Sequence, residues 1–96
     1  MRIIAGKYRG RKLTESLHLK DLRPTTDTNR ENLFNILYSS KELKQIGFEL
    51  TNCNLLDVFC GTAAISFEAL SRNAQSATLI DTNRQHLAIA KSNADL

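Results

Sequence analysis

The sequence predicts an α/β fold in which short apolar strands alternate with helices in a parallel sheet, after an N-terminal β-hairpin. Three observations carry this. Apolar runs of strand length occur at 54–59 and 77–80. Each is followed by a segment whose apolar residues recur at helical spacing, 62–72 and 83–95. An order of helix, strand, helix, strand, helix favours a parallel sheet, because parallel strands need a crossover between them.

The hairpin is read from residues 2–14, RIIAGKYRGRKLT, as two short strands around a loop bracketed by Gly6 and Gly10. Residues 15–26 lack sustained periodicity and read as a connection, with Pro24 biasing Arg23 toward an extended conformation. The chain thus divides into 1–26, a basic hairpin with its connection, and 27–96, an α/β unit. A helix is expected to start near Thr26–Thr28, where Thr28 and Glu31 have capping-box spacing. Leu33, Phe34, Leu37 and Tyr38 form its apolar stripe, and it runs to about Gln45 with Gly47 as the stop. The run from Asn54 to Phe59 reads as a buried strand with one acid, Asp57. The helix after it has Ala64, Ile65, Phe67, Ala69 and Leu70 as apolar positions. The second strand ends at Asp81, and the last helix carries Leu87, Ile89 and Ala90 near one side.

Composition bounds the possibilities. A chain of 96 residues with 42% hydrophobic and 24% charged residues is one ordinary globular domain. No apolar run approaches the roughly 20 residues of a membrane span, and the N-terminus has no long apolar signal region. Cys53 and Cys60, without a nearby histidine, give no zinc pattern and point to a reducing cytoplasm. His18 and His86 read as surface or half-buried residues without a role. The net charge of +3 is uneven, with +5 in residues 1–30 and −2 in the remainder. A basic head suits an anionic partner, nucleic acid among them. Arg2, Lys7, Arg9, Arg11 and Lys12 lie in the hairpin with no acid among them. Tyr8, between two of these cations, either stacks on a base or packs against the next element.

Asp57, Gly61 and Asp81 are the chemistry-bearing set. A strand feeding a tight turn points backbone amides and a helix N-terminus at a ligand, and glycine lets the backbone approach closely. Asp81 lies twenty positions after Gly61, at the end of the next strand, where an acid can bond ribose hydroxyls. The turn reads G-T-A-A-I-S with a single glycine, which argues against pyrophosphate binding and a dinucleotide. The alternative is a plain βαβ unit with no ligand.

Three stretches in order carry a resemblance: "MRIIAGKYRGRKL", "LRPTTDTNRENLFNIL" and "LLDVFCGTAAISFEALSRNA". From Met1 to about Asn93 the chain resembles the N-terminal half of the bacterial small-subunit ribosomal RNA (guanine-N2) methyltransferases. The resemblance implies an incomplete Rossmann-like class I methyltransferase sheet and S-adenosylmethionine as cofactor. It implies that Asp57, Phe59, Gly61 and Thr62 underlie the methionine part of the cofactor and that Asp81 holds the ribose. Thr82 and Asn83 edge the adenosine, while Arg23, Pro24, Thr25 and Thr26 close the pocket from the N-terminal side. Arg2, Lys7, Tyr8, Arg9, Arg11 and Lys12 meet ribosomal RNA.

The chain departs from the family at Ala63, where glycine is preferred, and at Cys60, where a small apolar residue is usual. The family's Asn/Asp-Pro-Pro-Tyr/Phe tetrapeptide, which grips the target base, has no counterpart, because Pro24 is the only proline. The expectation is therefore a cofactor half without the methyl-transfer centre, a sheet with an open edge and an uncovered apolar face, and no turnover by this chain. The other readings are a non-catalytic RNA-binding remnant and one half of a split enzyme whose separate partner chain supplies the missing strands.

Overall fold

The computed structural model describes residues 1–14 and 26–95. Helix α1 (Asp27–Ser39) is followed by a short α2 (Lys41–Gln45), strand β1 (Asn54–Val58), helix α3 (Ala64–Ser71), strand β2 (Ser76–Ile80) and helix α4 (Arg84–Ala94). The two strands pair in parallel, with Asn54 opposite Ser76 and Val58 opposite Ile80. α3 makes the crossover and packs on both strands. The predicted order therefore holds, with β2 starting one residue earlier than expected.

Three local expectations are corrected. The N-terminal segment reverses, but among the described residues it forms a single antiparallel bridge, Arg2 to Lys12, instead of two strands. The Ile3, Gly10 and Leu13 amides bond across the hairpin, but three others are spent on α3: Ile4 and Ala5 donate to the Glu68 carboxylate at 2.9 and 3.0 Å, and Lys7 donates to the Ser71 carbonyl at 2.9 Å. α1 is capped by Thr26, whose hydroxyl accepts from the Asn29 amide at 3.1 Å, so Thr28 lies inside the helix. The long helix predicted to Gln45 breaks at Ser40, whose extended backbone ends α1 and whose hydroxyl caps α2 by accepting from Leu43. Gly47 then turns the chain with φ +79°.

The core is small. Phe34, Leu50, Ala69 and Ala74 form its centre, with Leu37, Phe48, Cys53, Leu55 and Ile65 packed around it. Of the predicted α1 stripe, Phe34 is buried and Leu37 half-buried, whereas Leu33 and Tyr38 are exposed. α3 also differs from its pattern, for it buries Ser66, Glu68 and Ser71 along with Ala64 and Ala69. The reason is that one side of α3 receives the hairpin through polar contacts, while the other packs on the sheet.

Glu68 is the centre of that polar contact. Fully buried, it also accepts from Arg30 Nε at 3.1 Å and Arg72 Nε at 3.0 Å. Arg30 donates in turn to the Arg2 carbonyl at 2.6 Å and to Asp27 at 2.8 Å. The Arg72 guanidinium lies over the Phe34 ring, 4.6 Å from its centroid. Nearby, Ser71 donates to the Ala5 carbonyl and accepts from the Tyr8 amide. Gly6 sits so close that a Cβ would stand 2.1 Å from the Ser71 carbonyl oxygen, so only glycine fits. At the hairpin's end, Asn93 clasps the Thr14 backbone by accepting from its amide and donating to its carbonyl.

The sheet's second face is bare. Leu56, Val58 and Ile80 share one side of the two paired strands and are 59%, 47% and 49% exposed. Parallel strands are ordinarily covered on both faces, so the expected open, uncovered sheet is what the described residues form.

Glu68→Gln removes the charge between two buried arginines. Breaking a buried pair from one side costs about 3–5 kcal/mol. That loss is comparable with the whole stability of a small domain, about 5 kcal/mol at the low end. We expect a large fall in the urea midpoint and fast hydrogen exchange at the Ile4 and Ala5 amides; an unchanged midpoint would refute the assignment.

Candidate functional site: the loop at the strand ends

The C-terminal ends of β1 and β2 meet in one loop system. The Cys60 amide donates to the Ile80 carbonyl at 3.0 Å, tying the loop to the end of β2. The Gly61 amide donates to Asp81 Oδ2 at 2.8 Å, and the Asn83 amide donates to Asp81 Oδ1 at 2.8 Å. One carboxylate thus clamps the two βα turns together. Asp57, at the end of β1, accepts from the Ser66 hydroxyl of α3 at 2.7 Å. The sequence-predicted set of Asp57, Gly61 and Asp81 is brought to one place.

The loop is strongly turned. Phe59, Gly61 and Ala63 all have left-handed backbone, at φ +61°, +57° and +69°. Left-handed conformation costs a residue with a Cβ roughly 1–2 kcal/mol. This gives the preference for glycine at the position of Ala63 a backbone cause. The Ala63 methyl is fully buried, so it is absorbed by the protein and does not project into the open side of the loop. Thr62 is buried too, whereas Phe59 is 84% exposed. α3 begins at this loop with no side chain capping it. Its first-turn amides, which lack partners inside any helix, suit an anionic group.

The electrostatics of the loop are negative. The Asn83 and Gly61 amides, in that order, hold the Asp81 carboxyl below the usual carboxylate range. Burial, then the charges of Asp57 and Asp81, push the Cys60 thiol up. Cys60 is a half-buried free cysteine. Asn83 caps α4 by accepting from the Gln85 and His86 amides, and Thr82 lies exposed between Asp81 and that cap.

The other predicted residues lie elsewhere. The Thr26 hydroxyl is committed to capping α1. Arg23, Pro24, Thr25 and His18 lie outside the described residues. Lys7, Tyr8, Arg9 and Arg11 surround the hairpin tip at the C-terminal end of α3, the end remote from the loop. The eight residues of α3 separate the two places by about 12 Å along its axis. Arg2 braces the hairpin by donating to the Gly10 carbonyl, and Lys12 is exposed opposite it. His86 is buried, not half-exposed, and its Nε2 has no partner among the described residues. The residues that sequence reasoning missed are Arg30, Glu68 and Arg72. The available signal was an acid inside the most apolar helix, four positions before an arginine.

A parallel βαβ unit with a glycine turn and an acid closing it defines a partial Rossmann-like α/β fold. A solved structure described as a putative methyltransferase from Escherichia coli shares this fold with a TM-score of 0.75 at 36% identity. The match covers 99% of this chain and 45% of that one. The model of the family described as conserved hypothetical protein 95 matches residues 1–96, and the chain belongs to that family. It is homologous to the ribosomal RNA small subunit methyltransferase D of Escherichia coli (strain K12), 44% identical over 84 residues. An uncharacterized methylase of Rickettsia prowazekii (strain Madrid E) is 40% identical over 92 residues. These matches cover 88% and 94% of this chain but 37% of each relative, so the chain spans little over a third of their length.

Because the folded state depresses the Asp81 pKa, the clamp contributes stability that is fully present above the ordinary carboxylate range. That contribution is lost as pH falls through the lower folded value. We expect the Gly61 and Asn83 amide resonances to stay constant from neutral pH down to the ordinary carboxylate range and to shift together only below it. Asp81→Asn abolishes that step.

Proposed function

We propose that this chain supplies the cofactor-binding part of an S-adenosylmethionine-dependent methyltransferase acting on a guanine N2 of small-subunit ribosomal RNA. The observation that carries the reading is the clamp of Asp81 on Gly61 beside the uncapped start of α3. The relatives' names supply the substrate class. The donor set fits this cofactor. A carboxylate offers about four acceptor sites, and Asp81 spends two on backbone amides, which leaves acceptors for ribose hydroxyls. The first amides of α3 suit the methionine carboxylate. Asp57, Phe59, Gly61 and Thr62 form the floor beneath the methionine part, with Thr82 and Asn83 edging the adenosine. The carboxylates of Asp57 and Asp81 favour a cationic ligand over an anionic one.

The cofactor supplies an activated methyl on a sulfonium, so the protein's part is orientation and electrostatics. In this proposal the residues that grip the target base belong to the portion of the relatives that this chain does not span. The exposed apolar side of the sheet, at Leu56, Val58 and Ile80, supports the same reading. Further α/β structure, on the same chain or on a separate one, covers it in a working enzyme. The basic hairpin meets RNA through Arg2, Lys7, Tyr8, Arg9, Arg11 and Lys12, and the protein works in the reducing cytoplasm. A non-catalytic RNA-binding role draws on the same hairpin and lacks the cofactor.

Calorimetry with S-adenosylhomocysteine, on protein shown to be folded by circular dichroism, tests the cofactor. We expect binding without RNA, weakened about 10- to 150-fold by Asp81→Asn, the equivalent of one charge-assisted hydrogen bond at about 1.5–3 kcal/mol. A folded chain that binds nothing overturns the reading. The 96 residues alone are expected to transfer no methyl group to ribosomal RNA. Labelled methyl in RNA after incubation with the pure chain would overturn the assignment of transfer to the unspanned portion.

A further inference from the structure

The two acids of the loop at the strand ends are held in different ways. Asp81 is fixed by two backbone amides, those of Gly61 and Asn83. The Asp57 carboxylate accepts one hydrogen bond among the described residues, from the Ser66 hydroxyl to Oδ2 at 2.7 Å. Strand alternation puts Asp57 on the same face of β1 as Leu55, the face on which α3 packs. Asp57 is half-buried there, and Ser66, in the first turn of α3, is fully buried. A serine inside a helix can donate to the carbonyl four residues back. Ser66 donates to a carboxylate instead, at the length of a charge-assisted bond.

We propose that Ser66 is a positioning residue, which holds the Asp57 carboxylate ready for the ammonium group of the cofactor's methionine part. The proposal rests on the cofactor reading above and names a residue that the reading leaves out. Two observations carry it. The bond from Ser66 is single, so its loss frees the Asp57 side chain, whereas Asp81 has two backbone donors. A carboxylate offers about four acceptor sites, so most of the capacity of Asp57 stays open to a ligand.

The second observation is where Ser66 sits. It belongs to the same turn of α3 whose uncapped amides suit a carboxylate. An anion site and an anion are thereby linked by one hydrogen bond. That pairing matches the zwitterionic amino-acid end of the cofactor, which carries a carboxylate and an ammonium on one carbon. One turn of helix then addresses both groups, the carboxylate through its amides and the ammonium through Ser66 and Asp57. A serine that merely tied α3 to β1 would support the fold and every ligand equally, and that difference can be measured.

The test uses the full chain and two ligands, S-adenosylhomocysteine and methylthioadenosine, which keeps the adenosine and the thioether but lacks the amino acid. By calorimetry, Ser66→Ala should weaken S-adenosylhomocysteine about 2- to 13-fold, the cost of immobilising one freed side chain at about 0.5–1.5 kcal/mol. Methylthioadenosine should bind the variant as it binds the parent. In an Asp57→Ala background the same substitution should change nothing further, because Ser66 acts through Asp57. In the ligand-free protein, carbon relaxation at Asp57 Cβ should show the side chain becoming mobile in Ser66→Ala. Equal losses for the two ligands, parent affinity for S-adenosylhomocysteine, an additive loss in the double variant or an immobile Asp57 would each overturn the positioning role alone. So would loss of the folded state in Ser66→Ala by circular dichroism, which would make the hydroxyl structural. A folded parent chain that binds neither ligand overturns the cofactor reading, and the positioning role with it.

Discussion

Everything at the N-terminal side of this molecule depends on one buried carboxylate. Glu68 accepts from two hairpin amides and from two arginines, and it does so with no exposure to water. A charge buried without partners costs several kcal/mol. Here four donors from three parts of the chain converge on it, so its burial requires that the hairpin, α1 and α3 all be in place. The apolar core is modest, centred on one phenylalanine, one leucine and two alanines. Apolar packing of that size does not fix the position of a hairpin with a single bridge. The polar centre does so, because amides, guanidinium groups and carboxylate fit in one arrangement only.

The loop at the strand ends uses the opposite device. It holds strained backbone at Phe59 and Ala63 by closing hydrogen bonds around it: Cys60 to Ile80, Ala63 to Cys60 and Gly61 to Asp81. The strain is local, and the bonds that hold it reach to the end of β2. Ligand-facing loops often carry such outliers, since the fold over-determines them. The same clamp that orders the loop leaves the open side of Asp81 for a ligand.

Much of this was legible in the sequence because it is written in periodicity and in residues with one function. The alternation of strand and helix, the glycine at the turn and the acid at the end of β2 follow from spacing alone. What was not legible depends on contacts between distant segments. Glu68 and Arg72 have the i, i+4 spacing of an exposed helix pair, and nothing local tells that they are buried. Ser40 reads as an ordinary polar residue inside a helix until its backbone is seen to end one and cap the next. The sequence marks Ala63 only as an alanine where glycine is preferred, and the structure makes its left-handed backbone angle the issue. The residues of the hairpin read as two strands, but the Ile4 and Ala5 amides are taken by Glu68 of α3, which no local pattern signals.

The bare side of the sheet has a consequence for the protein as a solute. Leu56, Val58, Phe59 and Ile80 present an oily strip. Keeping copies apart falls to a net charge of only +3, unevenly spread between a cationic head and a slightly anionic body. Head and body of neighbouring molecules therefore attract at low ionic strength. Salt removes that attraction but also screens the net repulsion that guards the strip. Solubility is thus squeezed from both sides, with a best ionic strength between them, and that optimum vanishes once the strip is covered.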